Sequence, residues 1–182
     1  MYEPYICVTE EFAAEKNIQR SVFITTLIPV DSAERAQEEI KRLKKKYSDA
    51  THNCYAYITS DGIKQSDDGE PQGTAGAPIL EVLRKRGAGN ILAVVTRYFG
   101  GIKLGASGLV SAYAGCVAET LDLAECKKYV YCDILTVSCA YSLASQVTQC
   151  LLKCGAHIKN ISYDCDVRIE DAADIHISED TV

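Results

Sequence analysis

Two short segments hold most of the side chains that could do chemistry. The first, residues 66–76, reads SDDGEPQGTAG and carries Asp67, Asp68 and Glu70. The second, residues 96–108, reads TRYFGGIKLGASG and carries Arg97 and Lys103. Clustered carboxylates could hold a divalent cation through oxygen, or serve as general acid and base. A guanidinium and an ammonium beside Gly100, Gly101 and Gly105 could hold an anion, because glycines let backbone N–H groups come close to it. Each segment runs straight into a helix pattern, so both charge clusters stand at helix N-termini. Acid on one loop and base on the other is the layout of a site, which packing alone would not require.

Neither loop is a standard nucleotide motif. The basic one lacks Gly-Lys-Ser/Thr, and Gly101-x-x-x-Gly105 has the wrong spacing for a dinucleotide fingerprint. Its candidate ligand or anion contacts are Arg97, Lys103, Gly100, Gly101 and Gly105, with Thr74 at the other helix start. A plainer alternative has the glycines permitting a tight turn while Arg97 pairs with Asp67 or Glu70. The acidic loop likewise has a plainer form, a charged turn shaped by Gly69 and Pro71 and satisfied at the helix start at Thr74. His52, at the start of a strand pattern, joins the site only if folding brings it to the acidic loop. No Ser-x-Gly elbow and no cysteine beside a histidine partner supports covalent catalysis. No metal is expected; magnesium is the one cofactor the acidic loop could take.

The elements around these loops follow from periodicity. Residues 90–96 (NILAVVT) are continuously apolar, as in a strand covered on both faces. Before them a helix is predicted over residues 74–86, with Pro78 tolerated in its first turn and Gly87 ending it. After them Leu109, Tyr113, Val117 and Leu121 make a helical stripe. Upstream, residues 22–30 are β-rich, and Asp31 with Glu34 predicts a capped helix with Ala36, Ile40 and Leu43 inward. Residues 52–59 alternate as a strand, with Asn53, Tyr55 and Tyr57 facing one way and Cys54, Ala56 and Ile58 the other. Residues 9–21 and 60–73 read as polar connections, the second a long loop of the kind that carries function.

The pattern resets at residues 123–128, which predicts two domains, 1–123 and 129–182. In the second, residues 129–140 are β-rich. Residues 142–153 form an amphipathic helix with Leu143, Val147, Cys150, Leu151 and Cys154 inward. Residues 156–163 and 166–177 read as strands. This β-α-β-β order is the first part of a split ferredoxin-like unit, and the domain is expected to be a shortened one.

Composition bounds the function. The chain has 182 residues, and 47% hydrophobic content is ample for a core. Its net charge of −6 lies wholly in residues 162–182, which hold one basic and seven acidic residues, so the rest is neutral. Whole-molecule attraction to nucleic acid is not supported, whereas a local basic patch is compatible with these numbers. The nine cysteines include no Cys-x-x-Cys pair, and Cys7, Cys54, Cys116, Cys132 and Cys139 fall in apolar patterns as reduced hydrophobes. No signal pattern and no bilayer-length apolar run is present, so a cytoplasmic location without membrane contact is expected.

The two loops also carry a family resemblance. The blocks Ser66-Asp67-Asp68-Gly69-Glu70-Pro71 with Gly73-Thr74-Ala75-Gly76, and Val95-Thr96-Arg97-Tyr98-Phe99-Gly100-Gly101 with Lys103-Leu104-Gly105 and Gly108-Leu109-Val110, resemble the YigZ and IMPACT proteins. Arg20 to Ile24 and His52 to Ala56 resemble weaker blocks of the same family. The resemblance implies an α+β protein of two domains. The N-terminal one would be a β-α sandwich like ribosomal proteins, domain four of elongation factor G and kinases of the GHMP type, and the C-terminal one ferredoxin-like. It also implies a tie to translation, since IMPACT proteins restrain the amino-acid-starvation kinase by competing for its coactivator. The expected function is thus a regulator or accessory factor of translation, binding RNA, ribosome or a translation-regulatory protein through a groove between the loops. One alternative is a phosphoester hydrolase or transferase acting on a small anionic substrate; another is a protein-interaction module in which the loops are structural. Binding is favoured over catalysis.

Overall fold

A computed structural model of the chain describes residues 4–130, 133–163 and 166–173. It is a mixed α/β structure with several sheets and helices, whose chain divides into two units at Tyr129 and Val130.

The first unit is built on a five-stranded antiparallel sheet. Its strands are β2 (Phe12–Ile18), β3 (Ser21–Pro29), β4 (His52–Thr59), β5 (Gly62–Ser66) and β6 (Ile91–Tyr98), in the spatial order β2-β3-β6-β4-β5. The central strand β6 is buried from Ile91 to Arg97, so its apolar run is covered on both faces as its sequence predicts. Alternation along the strands sorts the core into two layers. Phe23, Leu27, Cys54, Ala56, Ala93 and Val95 face α2 (Gly76–Lys85) and α3 (Gly105–Leu123). Ile28, Tyr55, Tyr57, Leu92 and Val94 face α1 (Ala33–Lys46), which contributes Ala36, Ile40 and Leu43. The period of two carries one step past Val95 to place Arg97 on the α2 and α3 side. In register, Arg97 lies between Phe23 of β3 and His52 of β4.

Four sequence expectations change here. Residues 9–21 contain strand β2, whose half-buried residues alternate with exposed ones; Glu15 and Asn17 on its outer face and Lys16 on its inner one hide the strand in a composition reading. Residues 60–73 are not one loop, because β5 pairs with β4 through the backbone as an edge strand with an almost wholly solvent-facing surface. The cap of α1 is Ser32, whose hydroxyl accepts from the Arg35 N–H, while Asp61 receives the Ala33 N–H; Asp31 does neither. Helix α2 begins at Gly76, since Thr74 closes a turn on the Pro71 carbonyl. In addition, β7 (Cys126–Tyr129) pairs with β1 (Tyr5–Val8), which carries the first unit past residue 123.

The second unit holds β8 (Asp133–Cys139), α4 (Ala144–Lys153), β9 (His157–Tyr163) and β10 (Val167–Ala173), with β10 between the other two strands. Ala156, Val167 and Ile169 are buried. The helix has no buried residue: Leu143, Cys150 and Cys154 are exposed, and Val147 and Leu151 are half-buried. Its amphipathic pattern is real, yet the face expected inward is largely open. Cys132 and residues 174–177 of the expected last strand lie outside the described residues.

Candidate functional site

The acidic loop is closed by its own hydrogen bonds. The Asp67 carboxylate accepts from the backbone N–H groups of Gly73 at 2.8 Å, Ala75 at 3.0 Å and Gly76 at 2.8 Å. Burial works to raise this carboxyl, but the three donors outweigh it and hold it below the usual carboxylate value. Asp67 is therefore the cap of α2, supplied from nine residues upstream of Gly76. Gly76 must be glycine, because a Cβ there would lie 2.8 Å from the Ser66 nitrogen. Asp68, at φ 43°, accepts from the Asn53 N–H at 2.7 Å and pairs with Lys44. Its carbonyl lies 2.9 Å from His52 Nδ1. Thr74 donates its hydroxyl to the Pro71 carbonyl at 2.7 Å.

Glu70 and Arg97 join the two loops. Arg97 Nη1 donates to Glu70 Oε1 at 2.6 Å, and both side chains are buried. The same oxygen accepts from the Tyr113 hydroxyl at 2.8 Å, while Glu70 Oε2 lies 3.9 Å from His52 Nε2. Arg97 Nη2 donates to Ser21 Oγ at 3.3 Å, and the guanidinium carbon is 5.4 Å from the ring centres of both Phe23 and Phe99. Arg97 Nε is buried and has no acceptor among the described residues. Burial pushes the Tyr113 phenol far up and the Cys54 thiol beside it up to about 12, so both stay neutral. Cys7 and Cys116 are also pushed up by burial, each to about 11, which makes these thiols inert.

The basic loop is anchored at its start and open at its end. Thr51 Oγ1 accepts from the Phe99 N–H at 3.0 Å, and Ser21 Oγ from the Gly100 N–H at 3.3 Å. Gly100 sits against the turn between β2 and β3: a Cβ there would lie 1.9 Å from the Arg20 carbonyl oxygen. Beyond it, Gly101 and Gly105 take positive φ, 86° and 73°. Helix α3 then begins after Leu104 with no side-chain cap and no acidic residue in its first turn. Among the described residues its first N–H groups have neither intrahelical nor side-chain partners, and the helix dipole leaves positive charge there.

Between the loops lies a recess of about 370 Å³. Glu70 and Pro71 line it from the acidic side, Arg97 and Phe99 from the end of β6. Lys103, Gly105 and Ala106 close it at the start of α3, and Leu104 and Leu109 add apolar wall. Lys103 is exposed and makes no ion pair among the described residues. The sequence candidates thus divide. Glu70, Arg97, Lys103 and Gly105 meet at the recess. Asp67, Asp68, Thr74 and His52 build the loop behind it, and Gly100 and Gly101 shape the turn. Sequence reasoning missed Tyr113 and Phe99. A tyrosine in an apolar stripe signals a buried hydroxyl in need of a partner, and an aromatic next to two glycines signals an exposed ring. A second recess of about 370 Å³, by Tyr5, Asn90 and Tyr129, is also lined by the exposed Asp31 and by Arg35, which is paired with Glu38 and Glu39.

Fold and loops define a class, a mixed α/β protein with two glycine-rich loops that each feed a helix on one face of an antiparallel sheet. The Impact N-terminal domain matches residues 19–121, the span that contains both loops. The IMPACT family member YvyE of Bacillus subtilis is 41% identical over 173 residues, covering 93% of this chain and 80% of that protein. The IMPACT family member YigZ of Escherichia coli is 37% identical over 157 residues, covering 84% and 77%. A crystal structure of a hypothetical protein, 34% identical, superposes with a TM-score of 0.68 over 94% of this chain and 86% of that one. This chain belongs to the IMPACT family.

Among the described residues no group of three or more His, Cys, Asp or Glu side chains is placed to hold a metal ion. No described helix is long and apolar enough to cross a membrane.

Proposed function

We propose that this protein is a cytoplasmic regulator or accessory factor of translation, which binds RNA on the ribosome through the recess and catalyses no reaction. The observation that carries this is the uncapped N-terminus of α3, standing beside the unpaired Lys103 at the mouth of a recess. Such an end is built to receive an anion, and the phosphates of RNA are the anions a translation factor meets. The resemblance to IMPACT proteins supports the tie to translation. In this reading the first unit is of the ribosomal-protein and elongation factor G domain four type, and the second is ferredoxin-like.

The enzymatic alternative asks more of the acidic loop. A phosphoester hydrolase or transferase would need Asp67 and Asp68 for a cation or a water, and both are engaged in holding the loop. Co-sedimentation with ribosomes across a salt series tests the proposal. Binding that falls steeply with salt, and is weaker for Lys103→Ala at every salt, is the expected outcome. Absence of co-sedimentation at low salt would remove it.

A further inference from the structure

We infer that the second recess, beside Tyr5 and Tyr129, binds a guanidinium group, with its charge on Asp31 and its plane against the tyrosine rings. The recess holds about 370 Å³, within the range of small-molecule sites, and shares no lining residue with the one between the loops. Its occupant is therefore independent of the translation reading.

The aromatic part of the lining is fixed by the fold itself. Tyr5 of β1 and Tyr129 of β7 are register partners, and their rings stack 5.2 Å apart and 8° from parallel. Asn90, at φ 50°, donates its side-chain amide to the Tyr5 hydroxyl at 2.8 Å. Its backbone carbonyl in turn accepts from the Val30 N–H at 2.8 Å and from the Cys7 thiol at 3.1 Å. Gly89 leaves room for the Tyr5 ring, since a Cβ there would come within 3.0 Å of it. Tyr129 keeps 42% of its surface exposed.

The charge comes from the end of β3 and the start of α1. Asp31 is exposed and caps no helix. Among the described residues its carboxylate enters no ion pair, and its one hydrogen bond comes from the Ser32 hydroxyl at 3.2 Å. Arg35 also lines the recess but is no rival for a cation, because Glu38 at 3.0 Å and Glu39 at 2.6 Å take up its charge. A carboxylate and the negative faces of aromatic rings both favour a cation. The flat, nearly parallel rings then select among cations. A planar guanidinium stacks on an aromatic face and engages a carboxylate through two N–H groups at once, whereas an ammonium is a compact point charge.

The test follows backbone amide signals of the full chain during titration with L-arginine, L-citrulline and L-lysine, which share their main-chain charges. Citrulline replaces the guanidinium by an uncharged urea of the same shape. Arginine should give saturable shifts at Val30, Asp31 and Asn90, with citrulline at least about ten-fold weaker and lysine at least about three-fold weaker. Asp31→Asn should weaken arginine at least about ten-fold, and amide signals remote from the recess should stay in place because the side chain supports no helix start. Tyr129→Leu should weaken it about two- to thirty-fold, and Tyr129→Phe should bind as the wild type does. N-acetyl-arginine methylamide, which lacks both main-chain charges, distinguishes the sources. Binding as tight as free arginine assigns the recess to an arginine side chain of a protein, and weaker binding assigns it to a free guanidino compound; either supports the shared chemistry. No saturable shift, citrulline or lysine binding as tightly as arginine, or an unaffected Asp31→Asn would overturn the inference.

Discussion

The two glycine-rich loops look alike in sequence and differ in hydrogen-bond accounting. Both end a strand, both carry charge, and both lead into a helix. In the acidic loop every charge has a partner within the loop or beside it: Asp67 caps α2, Asp68 holds the Asn53 N–H and Lys44, and Glu70 binds Arg97 and Tyr113. In the basic loop the anchoring stops at Gly100, and three features around it stay open: Lys103, the start of α3, and the ring of Phe99. The difference separates a loop that builds from a loop that binds. Charge density alone cannot make that distinction; the count of satisfied donors and acceptors can.

That contrast makes the acidic loop the place where substitutions damage stability, and the basic loop's open end the place where they damage binding. The largest expected effect is at Glu70. Glu70→Ala leaves Arg97 buried without its counter-charge, and a loss of about 3–5 kcal/mol is expected in urea unfolding. Gly100→Ala comes next, at about 3 kcal/mol by the same measurement, because the added methyl must displace the Arg20 carbonyl and the turn behind it. Asp67→Ala removes the acceptor of three N–H groups at the start of α2, and should cost about 2 kcal/mol.

Asp67 also sets a pH dependence. Its folded pKa lies below the ordinary carboxylate value, so the ionised form is favoured by folding. The stability it contributes is fully present above that ordinary value and is lost as pH falls through the lower, folded one. Unfolding midpoints of wild type and Asp67→Asn should therefore converge as pH is lowered through the acid range, and parallel curves would contradict the capping role. The smallest stability effect belongs to Lys103→Ala, within about 0.5 kcal/mol, because the side chain is exposed and unpaired. If Lys103→Ala destabilised as much as Asp67→Ala, the distinction between the loops would fail.

Much of the fold was legible because it rests on period. The apolar run of β6, the two faces of β4 and the stripe of α3 each announce a buried element, and each is buried as expected. Strands β2 and β5 were not legible, since edge strands with polar outer faces are held by backbone pairing that leaves little trace in side-chain type. On the candidate site, residue type named the two loops and offered a pair between Arg97 and either Asp67 or Glu70. It could not say that Glu70 is the partner while Asp67 turns to α2, because that choice depends on where a strand register sets Arg97 between Phe23 and His52.

The most direct test compares the two helix starts in one sample. Backbone amide signals are followed by NMR while inorganic phosphate is added to the full chain. Saturable shifts are expected at Gly105 and Ala106, weakened in Lys103→Ala, with Ala75 and Gly76 unmoved because Asp67 already fills that end. Equal shifts at both helix starts, or shifts at Gly76 alone, would contradict the account.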